Sequence, residues 1–566
     1  MFRKNLFFAL SATVAVAMLL GGCGAPGTPI AATEAPAAGA TVAPAATEAP
    51  APAATENTLV VAVANTPPSL DIDVTASAEG EMVMANTSGG DLFSYKFVMN
   101  PEYNVYEADL QAFGDKGVVG LLADTWDVSA DGKTVTVHLK HGVKSQYGNE
   151  FTADDYIWSW QRMYAVNGTG WFIGSLITLT SDQDIKKIDD YTVQFNLQGP
   201  SPIFFKALAQ NYYGGPFDSV EAKKHATADD PWAKDWLRTN SATYGPYMVD
   251  KLVAGVELDL VVNPYWTGAP VYFKRVILKA VPDSSARLAL LQAGQVDIAW
   301  ELNELELQSV ESNPALQVVR APGNNELYIG LVQGKPPVDN LKVRQALAYA
   351  TPYQDILDKV YYGKARRMTS LVPDIYYGHI DAYKFDTDYA KAKALLAEAG
   401  FPDGIDITLS YNSAAKEAEQ AAILVKSGWE QAGIRTTLNA MPTAVYADAK
   451  YAKPSKLQAF VENQQNPWTG DPGYACSIYL KGGLSNYTNA ANFANATYDS
   501  ILTQAMKMPD GPERLALTTQ AQQIGADELP WIEIGWFNWR VAAKKGLEGF
   551  AWAPDNDIRF ATVTSK

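Results

Sequence analysis

The sequence predicts an α/β body, and three observations carry that reading. A short valine-rich run opens the body at residues 58–63, an alternating hairpin follows at residues 126–139, and helical segments closed by glycine recur at residues 284–294 and 388–400. Helices interleaved with short strands build a layered α/β architecture.

The first run, TLVVAV, is apolar throughout and stops at Asn65-Thr-Pro-Pro, as expected of a buried strand closed by turn residues. In the hairpin, Asp131-Gly132 tolerates positive φ. The strand after it sends Val135, Val137 and Leu139 to one face and Thr134, Thr136, His138 and Lys140 to the other. Residues 152–155, TADD, form a capping-box start, because a hydroxyl and a carboxylate three positions apart satisfy orphan amides. Ile157, Trp158, Trp160 and Met163 then give that helix its apolar side. Ser284 and Ser285 precede a leucine-rich helix, Gly294 stands where a helix end wants a left-handed residue, and residues 296–299 read as the next strand. The alanine-rich stretch before Gly400 is helical by propensity.

Ahead of the body lies an address. Arg3 and Lys4 begin the chain with positive charge, and residues 6–20 are apolar and uncharged. That run is short of the roughly 20 apolar residues a membrane span needs, so residues 1–22 read as a signal peptide. Leu19-Leu-Gly-Gly-Cys23 resembles the bacterial lipobox, which makes Cys23 the expected lipidated N-terminus; the alternative is an ordinary signal peptide containing a cysteine. Residues 23–57, rich in Ala, Pro, Thr and Glu, read as an extended tether. A single acyl chain holds only reversibly, so permanent tethering needs the two or three chains of a bacterial lipoprotein.

Composition narrows the function. A net charge of -17 and the lack of a basic cluster argue against nucleic-acid binding. With Cys23 lipidated, Cys476 has no partner for a disulfide and reads as a small buried apolar residue. None of the four histidines forms the i, i+4 pair of a helical zinc site, so no metal or cofactor is expected. No nucleophile elbow or phosphate loop occurs. Residues 168–174, GTGWFIG, have the wrong glycine spacing for a dinucleotide fingerprint and read as a loop. Adjacent acid pairs such as Asp154-Asp155 or Asp189-Asp190 do not aim at one substrate atom, so no enzyme activity is expected. Fourteen tryptophans and 29 tyrosines suit ligand enclosure instead.

Five blocks in order resemble the family 5 extracellular solute-binding proteins, the oligopeptide and dipeptide receptors of ABC importers. They are residues 122–160, holding LADTW, DGK, LKHGV, TADD and WSW; YGPY at 244–247 with NPYW at 263–266; LQAGQVDI at 291–298; Pro336-Pro337 with VRQALAYA at 343–350 and Gly363; and AKAKALLAEAG at 390–400.

The resemblance implies a periplasmic-binding-protein type II fold, bilobed and clam-like, with an accessory domain. Its boundaries would put a first lobe at residues 58–118, 239–325 and 536–566, the accessory domain at 119–238 and the second lobe at 326–535. The ligand would be enclosed at the hinge, and a membrane permease would receive it from a monomeric, lipid-anchored receptor in the periplasm or on the cell surface.

For the site, Trp468-Thr-Gly-Asp471 resembles the stretch in which peptide receptors pair an aspartate with the peptide's α-amino group, a charge-assisted contact that gains strength away from water. An Asp-Pro turn is the alternative for Asp471. Tyr474 and Trp536 fall where the family places pocket aromatics, and either could be core. Two departures stand out. Pro467 removes a backbone donor beside Trp468, and no arginine stands within residues 411–420, where the dipeptide receptor would bind a carboxylate; Lys416 is the nearest cation. The expected ligand is a peptide, with an oligosaccharide stacked on tryptophans as the same-fold alternative and a surface enzyme or adhesin from other classes.

Overall fold

The computed structural model describes residues 57–566 apart from 76, 89–90, 169, 211–214, 464 and 487. The signal peptide, Cys23 and the tether up to residue 56 lie outside the described residues.

An eleven-stranded mixed sheet runs through the body. In spatial order it comprises Tyr247–Val253, Glu257–Val262, Arg275–Ala280, Thr58–Val63, Ile298–Ala299, Trp531–Lys544, Leu316–Leu331, Ala459–Glu462, Ile405–Asn412 and Ile434–Met441, with Ala365–Arg367 paired to Trp531–Lys544. Thr58–Val63 is parallel to both neighbours, and Leu59 and Val61 are fully buried, which is why the run carries no polar alternation. In the second lobe Ile405–Asn412 and Ile434–Met441 are parallel, joined by the helix Lys416–Gln431. Trp429 of that helix is fully buried, and its indole N–H donates to Leu347 O and Thr351 Oγ1, each at 3.1 Å.

Two long strands, Leu316–Leu331 and Trp531–Lys544, join the lobes. They pair antiparallel from Leu316 with Lys544 to Gly330 with Trp531, and the register breaks between Ala321 and Asn325. One end of the ribbon meets the first lobe, where Ile298 pairs with Ala543; the other meets the second lobe, where Tyr328 pairs with Glu462. The boundaries expected at 325/326 and 535/536 both fall within these strands, at Glu326 and Trp536, which are register partners. Gly323 sits in the irregular stretch, where a Cβ would come 2.5 Å from Phe537 O and 2.6 Å from Trp539 N. Only glycine lets the strands approach this closely.

A separate four-stranded sheet, ordered Ala123–Val128, Thr134–Leu139, Thr192–Asn196 and Ile185–Asp189, carries the hairpin. Val135, Val137 and Leu139 are buried, alternating with half-buried neighbours, and Gly132 turns the chain at φ +69. The helix Ala153–Ala165 starts with the Thr152/Asp155 capping box. It is tied to the first lobe by Arg162, whose Nη1 donates to Asp71 Oδ1 and Asp73 Oδ2, each at 3.0 Å, with no exposed side-chain surface. The glycine-bearing segment at 168–174, expected as a loop, contains the helix Gly170–Leu176 instead. Its glycines serve close packing: a Cβ on Gly174 would lie 2.0 Å from the Tyr164 hydroxyl, so the segment folds against the preceding helix.

Candidate ligand-binding cleft

The crossing ribbon and the ends of the central strands leave a cleft of about 400 Å³. Ala64, Asn65 and Pro67, which follow Thr58–Val63, form part of its wall, and Trp300 and Glu301, which follow Ile298–Ala299, form another. Ligands of open α/β sheets collect beyond such carboxyl ends. Asn325 enters from the ribbon, Asn466 and Trp468 from the loop after Ala459–Glu462, and residues 555–557 from the last stretch of chain. Segments far apart in the chain therefore meet at one cavity.

The remaining wall is the start of the helix Ala78–Thr87. Ser77 caps it, its hydroxyl accepting from Gly80 N at 3.1 Å, and this turn brings Glu79 and Glu81 to the cleft. With Glu301, Asp555 and Asp557, five carboxylates line the cavity among the described residues. Asp555 pairs with Arg559, Nη2 to Oδ2 at 2.6 Å. Burial pushes Glu81 up to about 9, with the charges of Asp555 and Glu79 adding to it.

Trp468 is half-buried and lines the cleft. Asp471, Tyr474 and Trp536 are all buried and outside the lining. Asp471 is the N-cap of the helix Pro472–Leu480, followed by proline at the first helical position. Its Oδ1 accepts from Tyr474 N at 2.8 Å and Arg514 Nη2 at 2.7 Å, and its Oδ2 accepts from the Tyr377 hydroxyl at 2.5 Å. Burial would raise the Asp471 pKa, but Arg514 and the Tyr377 hydroxyl hold it below the ordinary carboxylate range. The Tyr474 ring lies 6.4 Å from Trp468 and backs it. Trp536 is fully buried in the ribbon, and its Nε1 has no hydrogen-bond partner among the described residues. Lys416, exposed, pairs with Glu419 at 3.1 Å.

The loop bearing Trp468 is fixed from the ribbon. Asn324 Nδ2 and the Tyr376 hydroxyl both donate to Pro467 O, at 2.9 and 2.5 Å. Asn324 also accepts from Asn556 Nδ2 at 3.1 Å, which joins this loop to the segment carrying Asp555 and Asp557. The acidic wall was invisible to motif reading, since residues 79, 81, 301, 555 and 557 meet only through the fold.

A bilobed α/β body with a cavity walled by distant segments suits the enclosure of a solute. The chain belongs to the bacterial extracellular solute-binding proteins of family 5, whose middle-region profile matches residues 117–486. It is 29% identical over 444 residues to heme-binding protein A of Haemophilus influenzae, covering 74% of this chain and 79% of that protein. It is 27% identical over 481 residues to the dipeptide-binding protein of Escherichia coli, covering 80% and 87%. Among solved structures it resembles the periplasmic binding protein DppA of Helicobacter pylori in complex with the peptide STSA, at 23% identity and a TM-score of 0.74, covering 90% of this chain and 98% of that one. The bilobed α/β fold is common to these structures. Among the described residues no helix is long and apolar enough to cross a membrane, and no group of His, Cys, Asp and Glu could hold a metal ion.

Proposed function

We propose that this protein is the capture subunit of an ABC importer, which encloses a peptide between its lobes and hands it to a membrane permease. The observation that carries the reading is the cavity at the strand crossing, walled by Ala64, Asn65 and Pro67 of one lobe and by Asn466 and Trp468 of the other, in a chain of the family 5 solute-binding proteins. A contact made to both walls is available only when the lobes are together, so a ligand there shifts the hinge equilibrium toward closure. The relatives named for dipeptide binding and the solved relative holding STSA support a peptide as the ligand.

Trp468 is the contact residue of this reading, an aromatic wall with its ring backed by Tyr474. Asp471 acts behind it as a cap and ion-pair partner of Arg514. The protein works outside the cytoplasmic membrane as a monomer, held there by a lipid on Cys23 and the tether that follows. In this reading domain boundaries at 325/326 and 535/536 mark the hinge.

The test is mass spectrometry of small molecules released when the purified protein is denatured, followed by thermal shift with each one. Released peptides that raise Tm in proportion to their concentration support capture. Released oligosaccharides that do so, with no effect from peptides, overturn the peptide reading, and consumption of the ligand during the assay would make the protein an enzyme.

A further inference from the structure

The cleft holds more negative charge than its surroundings neutralise. Of its five carboxylates, Asp555 is paired with Arg559. Of the other guanidiniums near Glu301, Arg287 spends its donors on the backbone carbonyls of Val281, Pro282, Trp300 and Glu301, and Arg540 donates to Glu304 and Glu417. Asp557 is the sharpest case. It is 6% exposed, it lines the cavity, and its Oδ2 has no hydrogen-bond partner among the described residues. A buried carboxylate oxygen without a donor is costly, so Asp557 either holds a proton or has its charge met by a cation in the cavity that the residue lines. Trp300 and Trp468 stand in the same lining, and an indole face attracts a cation more than a neutral group.

We propose that the solute enclosed here presents a side-chain cation, the ammonium or guanidinium group of a basic peptide, to Asp557, and that binding releases a proton from the acidic wall. The proposal rests on the peptide-capture reading and adds the chemistry of the ligand to it.

The bookkeeping of charge follows from the groups that face Asp557. Burial raises it well above the ordinary carboxylate range, Asp555, Glu81 and Glu301 push the same way, and Arg559 opposes them. Glu81 is pushed up to about 9 by burial, Asp555 and Glu79. Without a ligand, at least one of these acids keeps its proton at neutral pH. A ligand cation supplies the missing positive charge, the acid ionises, and its proton leaves to the buffer; no covalent bond of the ligand changes. Binding then tightens as pH rises toward 9, by up to about tenfold per pH unit for each proton released.

Isothermal titration of the purified protein decides this. The probes are trialanine peptides carrying one lysine at each position in turn, their norleucine counterparts, and spermidine, each measured at pH 7 in phosphate and in Tris. Buffers of different ionisation enthalpy count the protons released. The expected result is that a lysine peptide binds at least tenfold tighter than its norleucine counterpart, with release of a substantial fraction of one proton. Asp557→Asn should abolish both the preference and the release. Should that variant fail to fold, Glu81→Gln is expected to reduce the release on its own. Equal binding of lysine and norleucine peptides without proton release overturns the inference and leaves peptide capture standing. Binding of spermidine with proton release, while no peptide binds, overturns peptide capture and supports the cationic site. No binding by any of the three probes overturns the inference, and the released-ligand experiment then judges capture separately.

Discussion

The side-chain amide of Asn324 donates to the carbonyl of Pro467 at 2.9 Å, so the ribbon joining the lobes directly holds the loop that carries Trp468. Asn324 is fully buried and also donates to Pro554 O at 3.1 Å, binding three distant segments at one point. Asn324→Ala leaves buried carbonyls without this donor. The expected loss is about 1–3 kcal/mol of stability by chemical denaturation, together with weaker ligand binding from a displaced Trp468. Loss of stability with unchanged affinity would show that the loop holds its place without Asn324.

Asp471 and Arg514 form a buried pair with no exposed side-chain surface on either partner. Removing one member strands a charge, so Asp471→Ala should cost about 3–5 kcal/mol. The Asp471→Ala/Arg514→Leu double variant should recover part of that loss, because the stranded guanidinium is gone. Affinity of the folded fraction for ligand should change less than twofold in the milder Asp471→Asn variant. A large drop in that affinity would instead put Asp471 in contact with the ligand.

Gly323 admits no side chain without moving the ribbon, since the Cβ of an alanine would meet backbone atoms of Phe537 and Trp539. Gly323→Ala should destabilise the protein by about 1–3 kcal/mol, the range for overpacking a filled site. It should also shift the open–closed balance measured by small-angle scattering with and without ligand. An unchanged balance would place the flexing elsewhere in the ribbon.

Glu533 lies in the same ribbon, 1% exposed, with Oε2 unpartnered among the described residues. Burial pushes it from 4.5 up to about 8, with Arg367 opposing. The folded form holds this proton more tightly than the unfolded chain. Its contribution to stability is therefore fully present below pH 4.5 and is lost as pH rises through about 8. Glu533→Gln should flatten the pH dependence of unfolding free energy between those limits relative to the parent protein. An identical slope in both proteins would mean that Glu533 is already ionised at low pH.

Local chemistry was legible in the sequence wherever a single stretch contains the whole signal. The Thr152/Asp155 capping box, the turn at Gly132 and the helix ends at Gly294 and Gly400 each depend on neighbours within a few positions. Trp468 was legible as a cleft residue through its family-like surroundings. Asp471 illustrates an ambiguity of strings: Asp-Pro is equally the signature of a capped helix start, and the residue that decides its surroundings, Arg514, lies 43 positions away. The acidic wall had no local signature, since nothing in the chain near Glu81 announces Asp557. The segment at 168–174 misled through its glycines: Gly174 answers to the packing of Tyr164, and Gly168 to the close approach of the Asp73 carbonyl.

The central sheet imposes an order on how the protein can come into being. Ile298–Ala299 is flanked by Thr58–Val63 on one side and by the far end of Trp531–Lys544 on the other. A chain emerging from the ribosome thus offers its earliest strand long before the strand that seals the same lobe exists. Such distant pairing is slow to form. The first lobe therefore cannot finish folding while the strand ending at Lys544 is still to come.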